Sequence, residues 1–464
     1  MLLHIDSTTL YYTGGRAVNM SLPVDIREGI TVLTGPNGSG KSTFAQIIEK
    51  GRNFRTNKIL SPQGSYPVVR YMEFNDVHSW SGSVGYYQQR YEAGMNDEVP
   101  TVSDIMGQRV SSPLFKTLAD KLGLHDAVGK KINYLSSGEL RKLLIINALH
   151  DNPDLLILDN PYIGLDASSH EALNEALQRL RDTGVSIMLL ISDSKDAPSF
   201  ADQFLYAHNL TISTNKPFVR HSLPRYEPFE FDISTSLNDD TGEILRMENC
   251  NVHYGKSRIL DNLTWVVNSG ERWSLSGPNG SGKSTLLSLI YADNPKSYSN
   301  DIWLFGKRRG TGESIWDIKR NIGYVSPEMQ LYFHGSGTVE HIVANGLNDT
   351  VGMFVRPKAR QLERAVLWLK HFNIGHLADR QFNTLSAGER QLVLVARSMI
   401  KDPRLLILDE PMHALDPGIR DRVGMTIRSF LQAHQDSAFI MVTHNPAELP
   451  EDIDHHLTLP YHET

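Results

Sequence analysis

The sequence predicts an α/β chain made of two tandem copies of one domain, each organised around a mainly parallel sheet. Three repeated strings carry that reading. GPNGSGKST stands at Gly35–Thr43 and again at Gly277–Thr285; LSSGE at Leu135–Glu139 answers LSAGE at Leu385–Glu389; LLILD occurs at Leu155–Asp159 and at Leu405–Asp409. The offsets are 242 (277 − 35), 250 (385 − 135) and 250 (409 − 159). Order and spacing are kept, as in a duplicated unit, and the second copy is eight residues longer (250 − 242) between its first two motifs.

The elements follow in chain order. Each GPNGSGKST lies between an apolar strand-like run (ITVLTG; RWSLSG) and a helix-forming stretch (STFAQIIEK; STLLSLIYA). Each LS[SA]GE opens a further helix, in ELRKLLIINALHDNPD and ERQLVLVARSMIKDPR. The Leu and Ile of LLILD read as a central parallel strand covered on both faces, and its terminal acid falls at the crest of the sheet, beside the loop. The first copy runs over 1–211 and the second over 243–464. Between them, 212–242 read as a linker: TNKPFVRHSLPRYEPFEFDISTSLNDD is rich in Pro, Ser and Asp and lacks periodicity. Residues 216–232 alternatively add a strand to the first copy. About 30 extended residues span up to roughly 100 Å, enough to join the copies in almost any arrangement.

Composition narrows the function classes. With 40% hydrophobic and 21% charged residues among 464, the chain is globular material and not a disordered one. A net charge of −7 argues against a strongly basic nucleic-acid binder. The nearest local basic patch is Lys307–Arg309, which in a Gly-flanked loop reads first as a solvated turn. Cys250 is the single cysteine, so neither an intramolecular disulfide nor a cysteine-rich zinc site is expected, and a reducing, cytoplasmic setting fits. No apolar run approaches the ~18–20 residues that cross a bilayer, and MLLHIDSTTLYY is not expected to be a signal peptide. A self-contained membrane transporter is therefore excluded.

The motifs state a chemistry. GxxxxGK[ST] is a phosphate-binding loop: Gly35, Gly38 and Gly40, with their repeats Gly277, Gly280 and Gly282, let the backbone curl so that N–H groups, including those around Asn37 and Asn279, point at phosphates. Lys41 and Lys283 would reach the β- and γ-phosphates of ATP, and Ser42 and Ser284 would ligate Mg²⁺, next to Thr43 and Thr285. The helix that follows adds its dipole. Asp159 and Asp409 are the expected acids on the Mg²⁺ side. An apolar run ending in Asp is by itself more often structural; beside a phosphate loop it is not alone.

With the LS[SA]GE segments 24 residues before each strand acid (159 − 135; 409 − 385), the chain resembles the ATP-binding cassette (ABC) ATPases over nearly its whole length. The resemblance implies two tandem P-loop NTPase domains, each a mainly parallel sheet with an antiparallel strand layer and a small helical subdomain, here 91–134 and 331–384. It also implies a head-to-tail pairing of the two cassettes, in which each signature caps the nucleotide of the other; Ser136 with Gly138 and Ser386 with Gly388 match those contact positions. Both signatures depart from the commoner LSGGQ by Ser137 or Ala387 and by Glu139 or Glu389. Tyr12 and Tyr254, each 23 residues before its loop (35 − 12; 277 − 254), match an adenine-stacking aromatic. Gln89 in SVGYYQQ matches the glutamine that senses Mg²⁺ and the attacking water, whereas IGYVSPEMQ places Pro327 there. GLD at Gly164–Asp166 and ALD at Ala414–Asp416 match the loop after the strand acid.

The resemblance also implies unequal sites. LLILDEP supplies Glu410 where the family has its general base, and FIMVTHNP supplies His444 against the γ-phosphate. The first copy reads LLILDNP, with Asn160, and IMLLISDSK, with Asp193 aligned to the histidine. A neutral amide cannot take a proton from water, and general-base catalysis is worth roughly 10²–10⁴-fold. The expected working site uses Lys283, Ser284, Asp409, Glu410 and His444; the site of Lys41, Ser42, Asp159 and Gln89 is expected to bind ATP and hydrolyse it slowly.

Among twin-cassette chains, translation factors of the ABC-F kind carry a long charged helical linker that is missing here. Zinc-bearing excision-repair ATPases and the iron–sulfur ribosome-recycling ATPase need cysteines that are also missing. Sugar importers of the twin-cassette type stay open. YSNDIWLFGKRRGTGESIWDIKRNIGYVS (Tyr298–Ser326) is similar to the segment after the second phosphate loop in ModF-type proteins, associated by name with molybdate transport and also called photorepair proteins. That resemblance implies the energising subunit of a transport system, docked on a separate integral-membrane permease, with molybdate or a related anion as cargo. The alternative is a soluble ABC ATPase acting on nucleic acid or a protein complex.

Overall fold

The computed structural model describes residues 1–12, 17–51, 59–61, 64–73, 100–124, 127–131, 135, 137–162, 165, 167–216, 242–254, 257–278, 280–326, 329, 337–348, 356–412 and 415–460. The chain divides into two compact units, whose bulk is Met1–Val84 with Asp97–Leu223 and Pro224–His413 with Gly418–Thr464.

In the first unit an eight-stranded sheet runs in the order Thr8–Tyr11, Ala17–Met20, Thr211–Ser213, Gln203–His208, Ile30–Thr34, Ser186–Ile191, Leu155–Asp159, Val69–Glu73. Its last five strands are parallel. Their side chains alternate between two apolar clusters. Leu155 and Ile157 join the one that holds Phe44, Ile47 and Ile48 of the helix Lys41–Lys50, and Leu156 and Leu158 join the one that holds Leu143, Ile145, Leu173 and Leu177. Both faces are covered, which is why the strand reads as an unbroken apolar run. Each such side chain contributes about 1.5–3 kcal/mol by burial. A small antiparallel sheet, Val24–Ile26, Leu3–Ile5, Ile59–Leu60, closes one side.

The second unit repeats the plan. Its five parallel strands are Ile322–Val325, Leu405–Asp409, Ala438–Val442, Arg272–Ser276 and His455–Thr458. That order is the order of the five parallel strands in the first unit, with the loop strand second from the end and the acid strand two places further. The antiparallel layer is larger: Glu243–Tyr254 and Ser257–Asn268 form a twelve-residue pair, extended by Asp301–Leu304 and Lys307–Arg308. Each unit carries a short-helix arm. In the first, Val102–Met106 is started by a Thr101–Asp104 capping box, and Pro113–Leu122 is capped by Ser112 and ended by left-handed Gly123; in the second, Val339–Ala344 and Ala359–His371 correspond.

The strand Thr211–Ser213 carries the first sheet two residues past the boundary expected at 211. It follows a tight turn in which Asn209 and Leu210 both take positive φ, 46° and 58°. Leucine there gives no turn signal, so the hairpin is hidden in the sequence. Among the described residues no helix is long and apolar enough to cross a membrane.

Candidate functional site

The strand Ile30–Thr34 is wholly buried and delivers its chain to Gly35 at the sheet crest. A Cβ on Gly35 would collide with the Ala207 carbonyl, and one on Gly277 with that of Leu459, so neither place admits a side chain. Gly40 and Gly282 enter the following helices at φ 100° and 99°, where an L-residue is strained. The two loops then fold alike. Lys41 Nζ donates to the carbonyls of Gly35 and Pro36 at 2.6 and 2.9 Å, and Lys283 Nζ to those of Gly277 and Pro278 at 2.6 and 2.9 Å. Burial lowers the Lys41 pKa to about 8, against the pull of the Asp159 charge. Ser39 Oγ and Ser281 Oγ are buried in the two loops without a hydrogen-bond partner. Such orphaned hydroxyls beside lysines that donate to loop carbonyls fit a phosphate chain. The sequence reading named neither serine, although both lie inside its motif.

Beside the first loop, Asp159 Oδ2 accepts from Ser42 Oγ at 2.5 Å and from Tyr71 Oη at 2.7 Å, while Oδ1 accepts from Asn160 Nδ2 at 2.9 Å. Burial pushes the Asp159 carboxyl up, opposed by the two hydroxyls and by the Lys41 charge. Tyr71 Oη also contacts Glu73 Oε1, so the one phenolic proton is shared between the two acids, and burial keeps the phenol protonated. Tyr71 and Glu73 were missed because their strand was. The sequence reading aligned SVGYYQQ with IGYVSPEMQ, but the strand beside Leu155–Asp159 is Val69–Glu73, with Tyr71 opposite Ile157; in the second unit Tyr324 lies opposite Ile407. Gln89, and Pro327 with it, lie outside the described residues, as do Ser136 and Asn279. Gly164, Asp166 and Ala414 lie outside them too.

Asn160 and Glu410 occupy one backbone position. Both are left-handed, at φ 50° and 49°, and their N–H groups donate to Leu190 O and Val442 O at 2.9 Å each. Asparagine tolerates that conformation, whereas glutamate pays about 1–2 kcal/mol for it. The Glu410 Oε1 atom is 3.0 Å from His444 Nε2; Glu410 is half-buried and His444 lies at the exposed rim.

The register corrects one alignment. Asp159 lies opposite Leu190 and Asp409 opposite Val442; Leu33 pairs with Leu190 and Leu275 with Val442. The offset at this strand is therefore 252 (442 − 190), because the preceding helix has 17 residues, Pro417–Ala433, against 15 in Ala167–Arg181. The counterpart of His444 is Ser192, and Asp193 matches Asn445. Those two cap equivalent short turns, accepting from Lys195 N–H and Ala447 N–H. Ser192 Oγ donates to Asn37 Oδ1 at 2.8 Å and lies 3.4 Å from Asn160 Oδ1. The first unit thus has a neutral Asn37–Ser192–Asn160 cluster where the second has a carboxylate and an imidazole.

The remaining candidates are placed as follows. Tyr12 is half-buried after the strand Thr8–Tyr11, with Lys50 Nζ 2.6 Å from its hydroxyl and 4.9 Å from its ring centre. Tyr254 ends its strand, and its side chain is not described. Ser386 caps the helix Ala387–Met399 in a capping box: Glu389 N–H donates to Ser386 Oγ at 3.3 Å, and Ser386 N–H to Glu389 Oε2 at 2.8 Å. Gly388 is buried in its first turn, as Gly138 stands in the first turn of Ser137–Leu149. Ser284 is exposed, Thr43 and Thr285 are half-buried, and Asp409 is buried. The basic triplet is not a patch: Arg308 pairs with Asp301, and the Arg309 side chain is fully buried against Glu313, leaving Lys307.

The ABC transporter family model matches residues 19–163 and 260–413, one stretch over each unit. The chain belongs to the ABC transporter ATP-binding family. It is an ABC-type ATPase with two ATP-binding cassettes. It is 34% identical to the ABC transporter ATP-binding protein ModF of Escherichia coli, over 92% of this chain and 90% of that one. It is 28% identical to an uncharacterised ABC transporter ATP-binding protein of Schizosaccharomyces pombe, over 90% and 89%. In fold it matches a structure of an archaeal ribosome recycling factor with a ribosomal stalk protein, at TM-score 0.51 and 20% identity over 95% of this chain and 85% of that one.

Proposed function

We propose that this ATPase turns over at one site, in the second cassette, and holds ATP in the first. The Glu410–His444 pair carries the reading, because its counterparts Asn160 and Ser192 cannot act as a base. Lys283 exchanges its two loop carbonyls for the β- and γ-phosphates. Glu410 takes a proton from water as the water oxygen bonds to the γ-phosphorus and the bond to the ADP oxygen breaks. His444 holds Glu410 through Nε2 and orients it. A positioned general base is worth about 10²–10⁴-fold. Ser284 with Asp409, and Ser42 with Asp159, are the hard-oxygen donors that would hold Mg²⁺, which when bound neutralises phosphate charge. Tyr12 and Tyr254 are assigned to adenine, Gln89 to the first site, and Ser136, Gly138, Ser386 and Gly388 to nucleotide contacts.

The work assigned to this turnover is that of an energising subunit on the cytoplasmic face of a membrane, served by a separate permease. The full-length similarity to a protein named as an ABC transporter ATP-binding protein supports it. Molybdate and related anions are the first cargo to assay. The test is a quantitative pull-down of Glu410→Gln protein, trapped with ATP, from detergent-solubilised extract of its own cells. A co-purifying integral-membrane permease is the expected result. Recovery of ribosomes, nucleic acid or a soluble complex in its place overturns the transport role and leaves the ATPase standing.

A further inference from the structure

The first site has lost the carboxylate that follows its strand acid, yet it has gained another one strand away. Glu73 ends Val69–Glu73 directly opposite Asp159, and in-register neighbours on adjacent parallel strands face the same side. The Tyr71 hydroxyl touches both acids, contacting Glu73 Oε1 and, at 2.7 Å, Asp159 Oδ2, which also accepts from Ser42. Four oxygen-bearing side chains from three elements thus converge beside the first phosphate loop. In the second unit Tyr324 occupies the place of Tyr71 but stacks on Tyr291, ring centres 4.5 Å apart, and the residue after Val325, matching Glu73, is the neutral Ser326. The carboxylates are therefore arranged oppositely. The second site pairs Asp409 with a base at 410; the first pairs Asp159 with an acid at 73 and an amide at 160.

We propose that Glu73 is a further oxygen donor to the divalent cation of the first site, so that this site is built to retain metal–nucleotide and not to cleave it. The inference rests on the reading of Ser42 and Asp159 as cation donors. Affinity for hard cations rises with the number of charged oxygens offered. A carboxylate at 73 strengthens binding without standing where the general base stands.

The test uses the full chain with Lys283→Ala to disable the second loop, and Mn²⁺ with a non-hydrolysable ATP analogue as the probe, followed by electron paramagnetic resonance. The parent is expected to bind one Mn²⁺ saturably. Glu73→Gln should weaken that binding by about tenfold, and Glu73→Asp should restore most of it. Thermal melting shows that each variant is folded. Binding in Glu73→Gln within twofold of the parent, while Asp159→Asn abolishes it, overturns the role of Glu73 and leaves the site reading intact. Failure of the parent to bind Mn²⁺ at all overturns both.

Discussion

The ends of the two acid strands invite comparison. Both strands are LLILD, all five residues buried. Both are followed by a left-handed residue whose N–H meets the neighbouring strand at 2.9 Å. Only side chains differ: Glu410 with His444 against Asn160 with Ser192. The duplicated scaffold thus has one backbone at these two strand ends and different chemistry at the positions of Glu410 and His444. The strained conformation shows which version is the costly one. Asparagine sits there at little cost and glutamate does not, so the glutamate is kept for what it does.

The largest effect should come from making the second end like the first. Glu410→Gln should reduce ATP turnover by about 10²–10⁴-fold with nucleotide affinity retained, measured as phosphate release beside equilibrium ATP binding. Glu410→Asn should lose turnover equally and gain up to about 1 kcal/mol of stability by relieving backbone strain, read by denaturant unfolding. Unchanged turnover in either variant would break the assignment of the working site. The converse change sharpens it. In a Glu410→Gln background, Asn160→Glu with Ser192→His should recover measurable phosphate release, and Asn160→Glu with Asp193→His should not, because register gives Ser192 and not Asp193 the position equivalent to the histidine.

The sequence made most of this comparison visible in advance. The repeats gave the two cassettes, and the apolar LLILD runs gave the buried central strands. Glu410 and Asn160 were legible because they adjoin a motif and inherit its numbering. Two things were not. The first-copy counterpart of His444 was misplaced by one residue, because the helix before it is two residues longer in the second copy and no motif follows to reset the count. The strand Val69–Glu73 was overlooked, because VVRYMEF shares little with NIGYVSP and the Gly-Tyr pair of SVGYYQQ drew the alignment instead. Where a residue acts through register, sequence spacing does not locate it.

Lys41 supplies a pH test of the first loop. Its folded pKa is lowered from 10.5 to about 8, chiefly by burial. Phosphates favour the ammonium form, so ATP binding takes up a proton once the free loop has lost it. Affinity at the first site should hold from pH 7 to 8 and then fall by up to about tenfold per pH unit, measured in Lys283→Ala protein. Stability moves the other way. The unfolded chain binds the extra proton between pH 8 and 10.5, so this group adds stability as pH rises through that window. Affinity that is flat up to pH 9.5 would show that Lys41 is not the group that meets the phosphates.

The smallest effect separates two roles of one serine. Ser386 is the N-cap of the helix Ala387–Met399 and a proposed nucleotide contact. Ser386→Ala removes the cap and should cost about 1 kcal/mol of unfolding free energy. Ser386→Asp keeps a good cap and adds charge at the helix N-terminus, where the dipole favours it, so stability should stay within about 0.5 kcal/mol. That same carboxylate repels phosphate, so ATP affinity and turnover should fall in Ser386→Asp while its melting temperature does not. If Ser386→Ala loses that stability while Ser386→Asp keeps both its stability and its ATP affinity, Ser386 serves only as a cap, and the nucleotide assignment of the signature serine is lost.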